Sequence, residues 1–156
     1  RLIPPDGTLA DESPEDAGEW RLAGSWRPAG PAGRRLTASR AVVYTAEPRA
    51  FRCEDAWEFA GGGAAVGVIW HWRFAPGATV TPAPGDAWLI RRAGAPAVRM
   101  TVEALPGSAG RPAGALSEGS VAPHYAARLP APRLTVTWAG APARGARVIT
   151  RFALES

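Results

Sequence analysis

The sequence contains no lysine, asparagine or glutamine, and it has one cysteine and one methionine. Because Cys53 is alone, the chain can form neither an internal disulfide framework nor a paired-cysteine zinc module. Its place on an apolar strand face predicts a buried, unreactive thiol. All 18 basic residues are arginine, but alanine, glycine and proline are abundant too, as a GC-rich coding sequence would produce. The missing lysine therefore says little about function.

Long hydrophobic runs and catalytic signatures are absent as well. No stretch of about 18 apolar residues occurs, so the sequence predicts no membrane-spanning helix. There is no GxSxG, no HExxH and no phosphate-binding glycine loop ahead of a helix. The adjacent carboxylates Glu54 and Asp55 point to opposite sides of a strand, so they cannot flank one bond. The sequence therefore predicts no catalytic residue in this chain.

The charge is basic, with a formal net charge of +4 and a pI near 10.5. Such a balance favours anionic partners in general. The arginines are scattered along the sequence, however, and no helix-turn-helix, zinc module or basic helix accompanies them. The missing motifs argue against nucleic acid as the partner.

The length and the pattern of apolar residues predict one all-β domain. The chain has 156 residues, of which 18 are glycine and 16 are proline, so turns are frequent. No segment of helical length combines a 3.6-residue period with a cap. Short alternating segments between these turns predict an antiparallel β-sandwich of about nine or more strands, without substantial helix. Residues 1–18 form a predicted irregular, acidic, proline-rich lead-in, and residues 19–156 form the sandwich domain.

The predicted strands are the segments with period-2 alternation, at 19–26, 36–45, 51–59, 66–74, 78–81, 87–92, 98–103, 134–138 and 147–154. Prolines around strand 78–81 predict that it lies at a sheet edge. Residues 106–132 show no clear period and are predicted to form a long loop, which is functional or docks on a neighbour. The chain begins at Arg1 without methionine or a signal peptide, so we expect it to be part of a longer protein.

The segment 51–74 holds most of the unusual chemistry. Its two alternating arms are separated by glycines 61–63, which can adopt the positive φ of a tight turn, so a β-hairpin is predicted. Asp55 lies on the apolar face of the first arm, and His71 lies between two tryptophans of the second. Each is interpreted as a hydrogen-bonded polar residue that fixes the register, with a functional site as the alternative.

Two registers of this hairpin are possible, with Asp55 opposite either Trp70 or His71. The first register places every large apolar residue on one face, and each is worth about 1.5–3 kcal/mol when buried. A partly exposed Asp–His contact is worth only about 1 kcal/mol. The first register is therefore predicted, with Asp55 and His71 on opposite faces and no bound metal.

Three motifs resemble the C-terminal domain of the heparinase II/III family of polysaccharide lyases. The first is Asp55, followed after a glycine turn by the segment 70–77 (WHWRFAPG). The second is the segment 119–126 (GSVAPHYA), which is similar to the family segment that precedes the last two strands. The third is the run 130–132 (PAP) with two strands that lead to Thr150. The resemblance covers most of the predicted sandwich domain.

The resemblance implies a specific function. Members combine an N-terminal α/α toroid with a β-sandwich, and an acidic polysaccharide lies between the two. They cleave it by β-elimination, in which the uronate carboxylate is neutralised, a base removes the C5 proton and an acid protonates the leaving oxygen. The family's catalytic tyrosine lies in the toroid, which this chain lacks. The chain is therefore expected to support the cleft wall without being catalytic alone, in a periplasmic or secreted protein.

The resemblance also bears on individual residues. The family's metal site joins two histidines and one aspartate; Asp55 and His71 match two of these positions, but Ser39 replaces the third, so no metal or other cofactor is predicted. Tyr125 matches the second motif and is expected to pack its ring and tie down the loop with its hydroxyl. Substrate contact is the alternative for Tyr125, and it is also considered for His71. His124 is interpreted as a loop histidine.

Two other functions remain open at this point. A free-standing carbohydrate-binding module would use exposed tryptophans as a sugar platform, with Trp26, Trp88 and Trp138 as the candidates. A structural immunoglobulin-like module would have no ligand. A helical toroid directly upstream of Arg1 would favour the lyase domain, whereas a linker there would favour a free-standing module.

Overall fold

The computed structural model of the chain describes residues 8–12, 19–26, 36–46, 49–59, 66–104, 112–125, 127–141 and 146–155. These ranges contain eleven strands and no helix. No helix long and apolar enough to cross a bilayer occurs in them. The strands are β1 (Thr8–Glu12), β2 (Glu19–Trp26), β3 (Leu36–Thr45), β4 (Ala50–Phe59), β5 (Val66–Arg73), β6 (Thr79–Ala83), β7 (Ala87–Arg91), β8 (Val98–Ala104), β9 (Ala113–Val121), β10 (Leu129–Ala141) and β11 (Ala146–Leu154).

The strands form two antiparallel sheets. The larger has eight strands in the order β1-β2-β3-β4-β11-β8-β7-β6, and the smaller has three in the order β5-β10-β9. Every pairing in both sheets is antiparallel. The predicted all-β antiparallel architecture is therefore confirmed. β6, which contains Pro82, lies at one edge of the large sheet, as its prolines predicted.

The core lies between the two sheets. Inward side chains from the large sheet meet those of β10 in two clusters, which comprise Trp88, Met100, Leu134, Val136 and Phe152, and Trp57, Trp138 and Val148. Alternation places Val148, Thr150 and Phe152 of β11 inward, as predicted. Each large apolar side chain buried here contributes about 1.5–3 kcal/mol, so face-to-face packing of the sheets dominates the stability.

The predicted hairpin between β4 and β5 is wrong. β4 pairs with β3 and β11 in the large sheet, whereas β5 pairs with β10 in the small one. Neither predicted register therefore exists. Both arms carry one apolar face, and the sandwich buries both faces by stacking the arms across the core. Trp57 of β4 packs in the same cluster as Val68 and Trp70 of β5.

Two segments predicted to be irregular contain strands. Within the predicted loop 106–132, Ala113–Val121 forms β9, and β10 already begins at Leu129. The reason is that β9 is built from small and polar residues at a sheet edge, where no apolar alternation is required. Within the predicted lead-in 1–18, Thr8–Glu12 forms β1 against β2. The remaining residues of that lead-in lie outside the described ones.

The outward face of β4 is not fully solvated, although it was predicted to be the polar side. Glu54 is only 8% exposed and accepts hydrogen bonds from Arg52, at 2.9 Å, and from Arg147. Burial raises the pKa of Glu54, but the two arginines together lower it by more, so its pKa lies below the ordinary value. On the inward face, Cys53 is buried as predicted, and burial raises the pKa of its thiol.

Candidate functional site

A concavity lined by arginines lies at one end of the three-stranded sheet. It has a volume of about 470 Å³, and three arginines, one glutamate, one serine and two small residues line it, namely Arg73, Arg128, Arg133, Glu118, Ser120, Gly119 and Ala122. This volume lies within the range of about 300–1,000 Å³ typical of small-ligand sites. The concavity is therefore large enough for part of a polymer chain or for a small anion.

The sheet pairing brings the arginines together. Arg73 is the last residue of β5, and it lies directly opposite Arg133 of β10. Arg133 in turn lies opposite Ser117 of β9. Arg128 directly precedes β10. Arg73 thus lines one hollow with two arginines that are more than 50 residues away in the sequence, although the sequence showed the arginines only as scattered.

The backbone of β9 and the side chain of Ser117 hold Arg133 in place. Arg133 Nε donates a hydrogen bond to Ser117 Oγ at 3.1 Å, and Ser117 Oγ donates to the Arg133 carbonyl at 3.5 Å. A Cβ at Gly119 would lie 3.1 Å from Arg133 Cβ. The absence of a side chain at Gly119 therefore lets the arginine lie close against β9, and its guanidinium is positioned before any ligand arrives.

The arginines of the concavity have no acidic partner among the described residues. Ion pairs in the same part of the chain engage other arginines, at Arg40, Arg52, Arg99, Arg147 and Arg151. Glu118 also lines the concavity, but it forms no ion pair there within 4.0 Å. Three positive charges thus share the hollow with a single negative one, which favours the binding of an anion.

His71 lies on the same outward surface as Arg73. The two are separated by one residue in β5, and the side chains of that strand alternate between exposed and half-buried. His71 Nδ1 lies 3.0 Å from Thr135 Oγ1, and Thr135 is the residue directly opposite on β10. The row formed by His71 and Thr135 therefore adjoins the row formed by Arg73 and Arg133.

Tyr125 is fully exposed, with a relative accessibility of 101%. The expectation that its ring packs against the domain is therefore wrong. Tyr125 belongs to the turn after β9, next to the exposed His124, whose carbonyl accepts a hydrogen bond from the Ala127 N–H at 3.2 Å. The same turn connects Ala122 to Arg128, which both line the concavity. Its ring is free to contact a ligand.

The positions that match the family's metal site lie on three different surfaces. Asp55 faces the space between the sheets, where Arg40 binds both of its oxygens. Ser39 precedes Arg40 in β3, so its side chain points to the opposite side of the large sheet. His71 is exposed in the other sheet and is bonded to Thr135. In the described part of the chain, no three His, Cys, Asp or Glu side chains form a group able to hold a metal ion. These residues do not fit the metal.

Arg40 is instead a structural cation that links the two sheets. Its Nε and Nη2 donate to Asp55 Oδ1 and Oδ2 at 2.6 and 3.0 Å. Its Cζ lies 5.3 Å from the centre of the Trp72 ring in the small sheet. The hydrogen bonds to Asp55 raise the pKa of Arg40, although burial opposes this. Asp55 is thus a bonded residue that fixes the pairing of β3 with β4, as interpreted from the sequence.

Replacing Arg40 by methionine is expected to lower the free energy of unfolding by about 2–3 kcal/mol, because Asp55 would lose both bonds in a partly buried place. The matched control is Arg151→Met, whose ion pair with Glu103 is exposed at both ends. It should change the free energy by less than about 0.5 kcal/mol. Urea denaturation at neutral pH measures both. Equal, small losses would show that the Arg40–Asp55 pair does not stabilise the sandwich.

The tryptophan platform of the carbohydrate-module alternative is wrong where the structure tests it. Trp88 is 8% exposed and Trp138 is 0% exposed, because alternation directs both into the core. The side chain of Trp26 lies outside those described.

The residues that the sequence analysis missed are Arg73, Arg128 and Arg133. The sequence did place Arg73 on the same strand face as His71. That Arg73 lies beside Arg133, however, follows only from the pairing of β5 with β10.

Solved structures with this fold include polysaccharide lyases. The chain superposes on a heparinase III gene product with a TM-score of 0.69 and 14% identity, over 94% of this chain and 21% of the other. For a heparan sulfate lyase, HepC from Pedobacter heparinus, the values are 0.70, 13%, 96% and 22%. For a further heparinase III they are 0.67, 16%, 95% and 21%.

No protein-family profile and no curated protein matches the sequence. The structural matches establish the fold, and they cover nearly all of this chain but about a fifth of each lyase. The chain therefore has the fold of a domain-sized part of heparinase III-type lyases, the family that its motifs resemble.

Proposed function

We propose that the chain is the C-terminal β-sandwich domain of a heparinase II/III-like lyase, which cleaves an acidic polysaccharide by β-elimination. The observation that carries the proposal is the fold match, which covers at least 94% of this chain against about a fifth of each lyase. The order of the three motifs in the sequence supports the same family. In this proposal the domain forms part of the wall of the substrate cleft.

The chemistry of β-elimination supports a division of labour with a second domain. The reaction needs a group that offsets the uronate charge, a base for the C5 proton and an acid for the leaving oxygen. Arginines of this chain can offset charge. Within the described residues, however, His71 is bonded to Thr135 and Tyr125 extends alone into solvent. The proposed base and acid therefore belong to an N-terminal α/α toroid of the same protein. The proposed protein is periplasmic or secreted.

The purified chain alone is expected to release no unsaturated uronate from heparin, heparan sulfate or alginate, because base and acid are not both present. Ultraviolet absorbance of the unsaturated product measures this with high sensitivity. The reference is the longer protein from which the chain is derived, assayed under the same conditions. If the chain alone cleaved one of these polymers and its His71→Ala variant did not, the proposed role as a non-catalytic part of the cleft wall would be refuted.

A free-standing carbohydrate-binding module is the second candidate. The observation that favours it is the exposed ring of Tyr125 in the turn that borders the arginine concavity. The coding sequence upstream of Arg1 distinguishes the two functions. A helical toroid there supports the lyase domain, and a proline- or glycine-rich linker there supports the module.

A further inference from the structure

We propose that the concavity formed by Arg73, Arg128 and Arg133 is a binding site for the carboxylate or sulfate group of an acidic glycan. Tyr125 supplies a flat surface for the sugar ring beside it. The choice of a glycan as the polymer rests on the proposed function. The choice of an anion rests on the concavity itself.

Repulsion between positive charges favours an anion in the concavity. Arg73 and Arg133 are direct cross-strand neighbours, and like charges in that position destabilise a sheet. Arg128 adds a third positive charge at the same hollow. No carboxylate of the described residues pairs with any of the three. A bound oxyanion would relieve this repulsion and form charge-assisted hydrogen bonds, which are about twice as strong as neutral ones.

The geometry of Arg133 also favours a bound oxyanion. Arg133 is already held by Ser117, whose hydroxyl takes the Nε hydrogen, so its two terminal nitrogens are left for a ligand. A planar guanidinium matches the two oxygens of a carboxylate or sulfate, which a lysine ammonium does not. Gly119 has no side chain that would press on the Cβ of Arg133, where a Cβ would lie only 3.1 Å away. The site is therefore preorganised, and less conformational entropy is lost on binding.

A glycan fits the lining of the concavity better than a nucleic acid does. Glu118 and Ser120 line the same hollow, and they can accept or donate hydrogen bonds to sugar hydroxyl groups. A phosphodiester chain has few such groups. Nucleic-acid sites also use extended basic stripes, whereas these arginines converge on one hollow. The exposed ring of Tyr125 can stack on the apolar face of a sugar.

The test compares two triple variants of the purified chain by isothermal titration calorimetry. One variant replaces Arg73, Arg128 and Arg133 by alanine. The matched control replaces Arg49, Arg91 and Arg92, which are exposed and lie outside the concavity, so that the net charge falls equally. Circular dichroism establishes that both variants unfold cooperatively. The titrants are heparan sulfate fragments, alginate fragments, inorganic sulfate, neutral dextran and a single-stranded DNA oligonucleotide.

We expect the chain to bind an acidic glycan and to leave dextran unbound. The concavity variant should lose at least about tenfold in affinity, and the control less than about threefold. Tyr125→Ala should weaken glycan binding and leave binding of inorganic sulfate unchanged. Binding of heparan sulfate alone identifies the sulfate as the group, and binding of alginate as well identifies the carboxylate; both support the site.

Three results would overturn the inference. They are the absence of binding to any acidic glycan, equal losses in the two triple variants, and tighter binding of the DNA than of either glycan. None of these results would refute the proposed lyase function, because cleavage by the full-length protein does not depend on where this domain contacts the polymer. That function is tested by its own assay. Conversely, a longer protein without lyase activity would refute the proposed function and leave the anion site standing.

Discussion

Replacing Trp138 by alanine is expected to lower the free energy of unfolding by about 3–5 kcal/mol. Trp138 is completely buried in β10, and it joins the small sheet to the large one through Trp57. The ring centres of the two tryptophans lie 5.5 Å apart at an interplanar angle of 80°, which is a favourable edge-to-face contact. Alanine would leave a cavity that the surrounding strands cannot fill.

A loss of that size is a large fraction of the total stability of a domain, about 5–15 kcal/mol. The control is Ile69→Ala on the outward face of β5, where the side chain is 61% exposed. It should cost less than about 0.5 kcal/mol. Guanidinium denaturation monitored by circular dichroism compares the two variants. Similar midpoints for both would show that the sheets are not held together through this cluster.

Replacing Gly114 by alanine is expected to destabilise the protein by about 1–3 kcal/mol, although only one methyl group is added. A Cβ at this position would lie 2.2 Å from Cζ2 of Trp88 and 3.1 Å from Cδ1 of Leu134. Trp88 is buried in the main cluster with Met100, so its ring cannot move aside without a wider rearrangement. Close contact between β9 and the core therefore depends on this glycine.

Two further variants isolate the cause. Gly67→Ala in β5 is the matched control, because a Cβ there meets nothing within 4 Å. It should be neutral or stabilising by about 0.5–1 kcal/mol, since alanine restricts the unfolded chain. In a Trp88→Phe background, Gly114→Ala should cost much less, because the clashing ring atoms are gone. Thermal denaturation of the unchanged chain, Gly114→Ala, Trp88→Phe and the double variant measures the coupling. An unchanged cost in that background would contradict the proposed clash.

The strands were largely predictable, because alternation of apolar residues reports which face of a strand is buried. β2 and β3 have the predicted bounds, and β7, β8 and β11 were placed to within one residue at each end. Alternation does not report which strand lies beside which. β4 and β5 each carry one apolar face, and a hairpin and a sandwich satisfy that pattern equally well. The glycines between the two strands led to the prediction of a hairpin. The chain forms the sandwich instead, because a larger area is buried between two sheets.

β9 was missed for a related reason. It lies at the edge of the small sheet and consists mainly of alanine, glycine and serine, with most of its side chains exposed. Backbone hydrogen bonds to β10 hold it there, and the pattern of apolar residues in the sequence does not indicate such bonds. The concavity could not be predicted for the same reason. Arg73 and Arg133 become neighbours only through the pairing of β5 with β10, which residue types alone do not specify.

The roles of Asp55 and His71 were partly predictable. Both were interpreted as hydrogen-bonded residues that fix strand register, and each bonds to a residue directly opposite on a neighbouring strand, Arg40 and Thr135. Their partners were not predictable, because they lie on strands distant in sequence. Tyr125 shows the reverse: the family motif located the residue, but its ring is in solvent where packing was expected.

Whether this chain serves a β-eliminating lyase is tested most directly on the full-length product of its gene. The measurement is the release of unsaturated uronate from heparan sulfate, heparin and alginate, followed by ultraviolet absorbance and by mass spectrometry of the products. We expect unsaturated sugars at the new non-reducing ends from at least one of these polymers. Saturated ends, produced by hydrolysis, or no cleavage of any acidic polysaccharide, would contradict the proposed function.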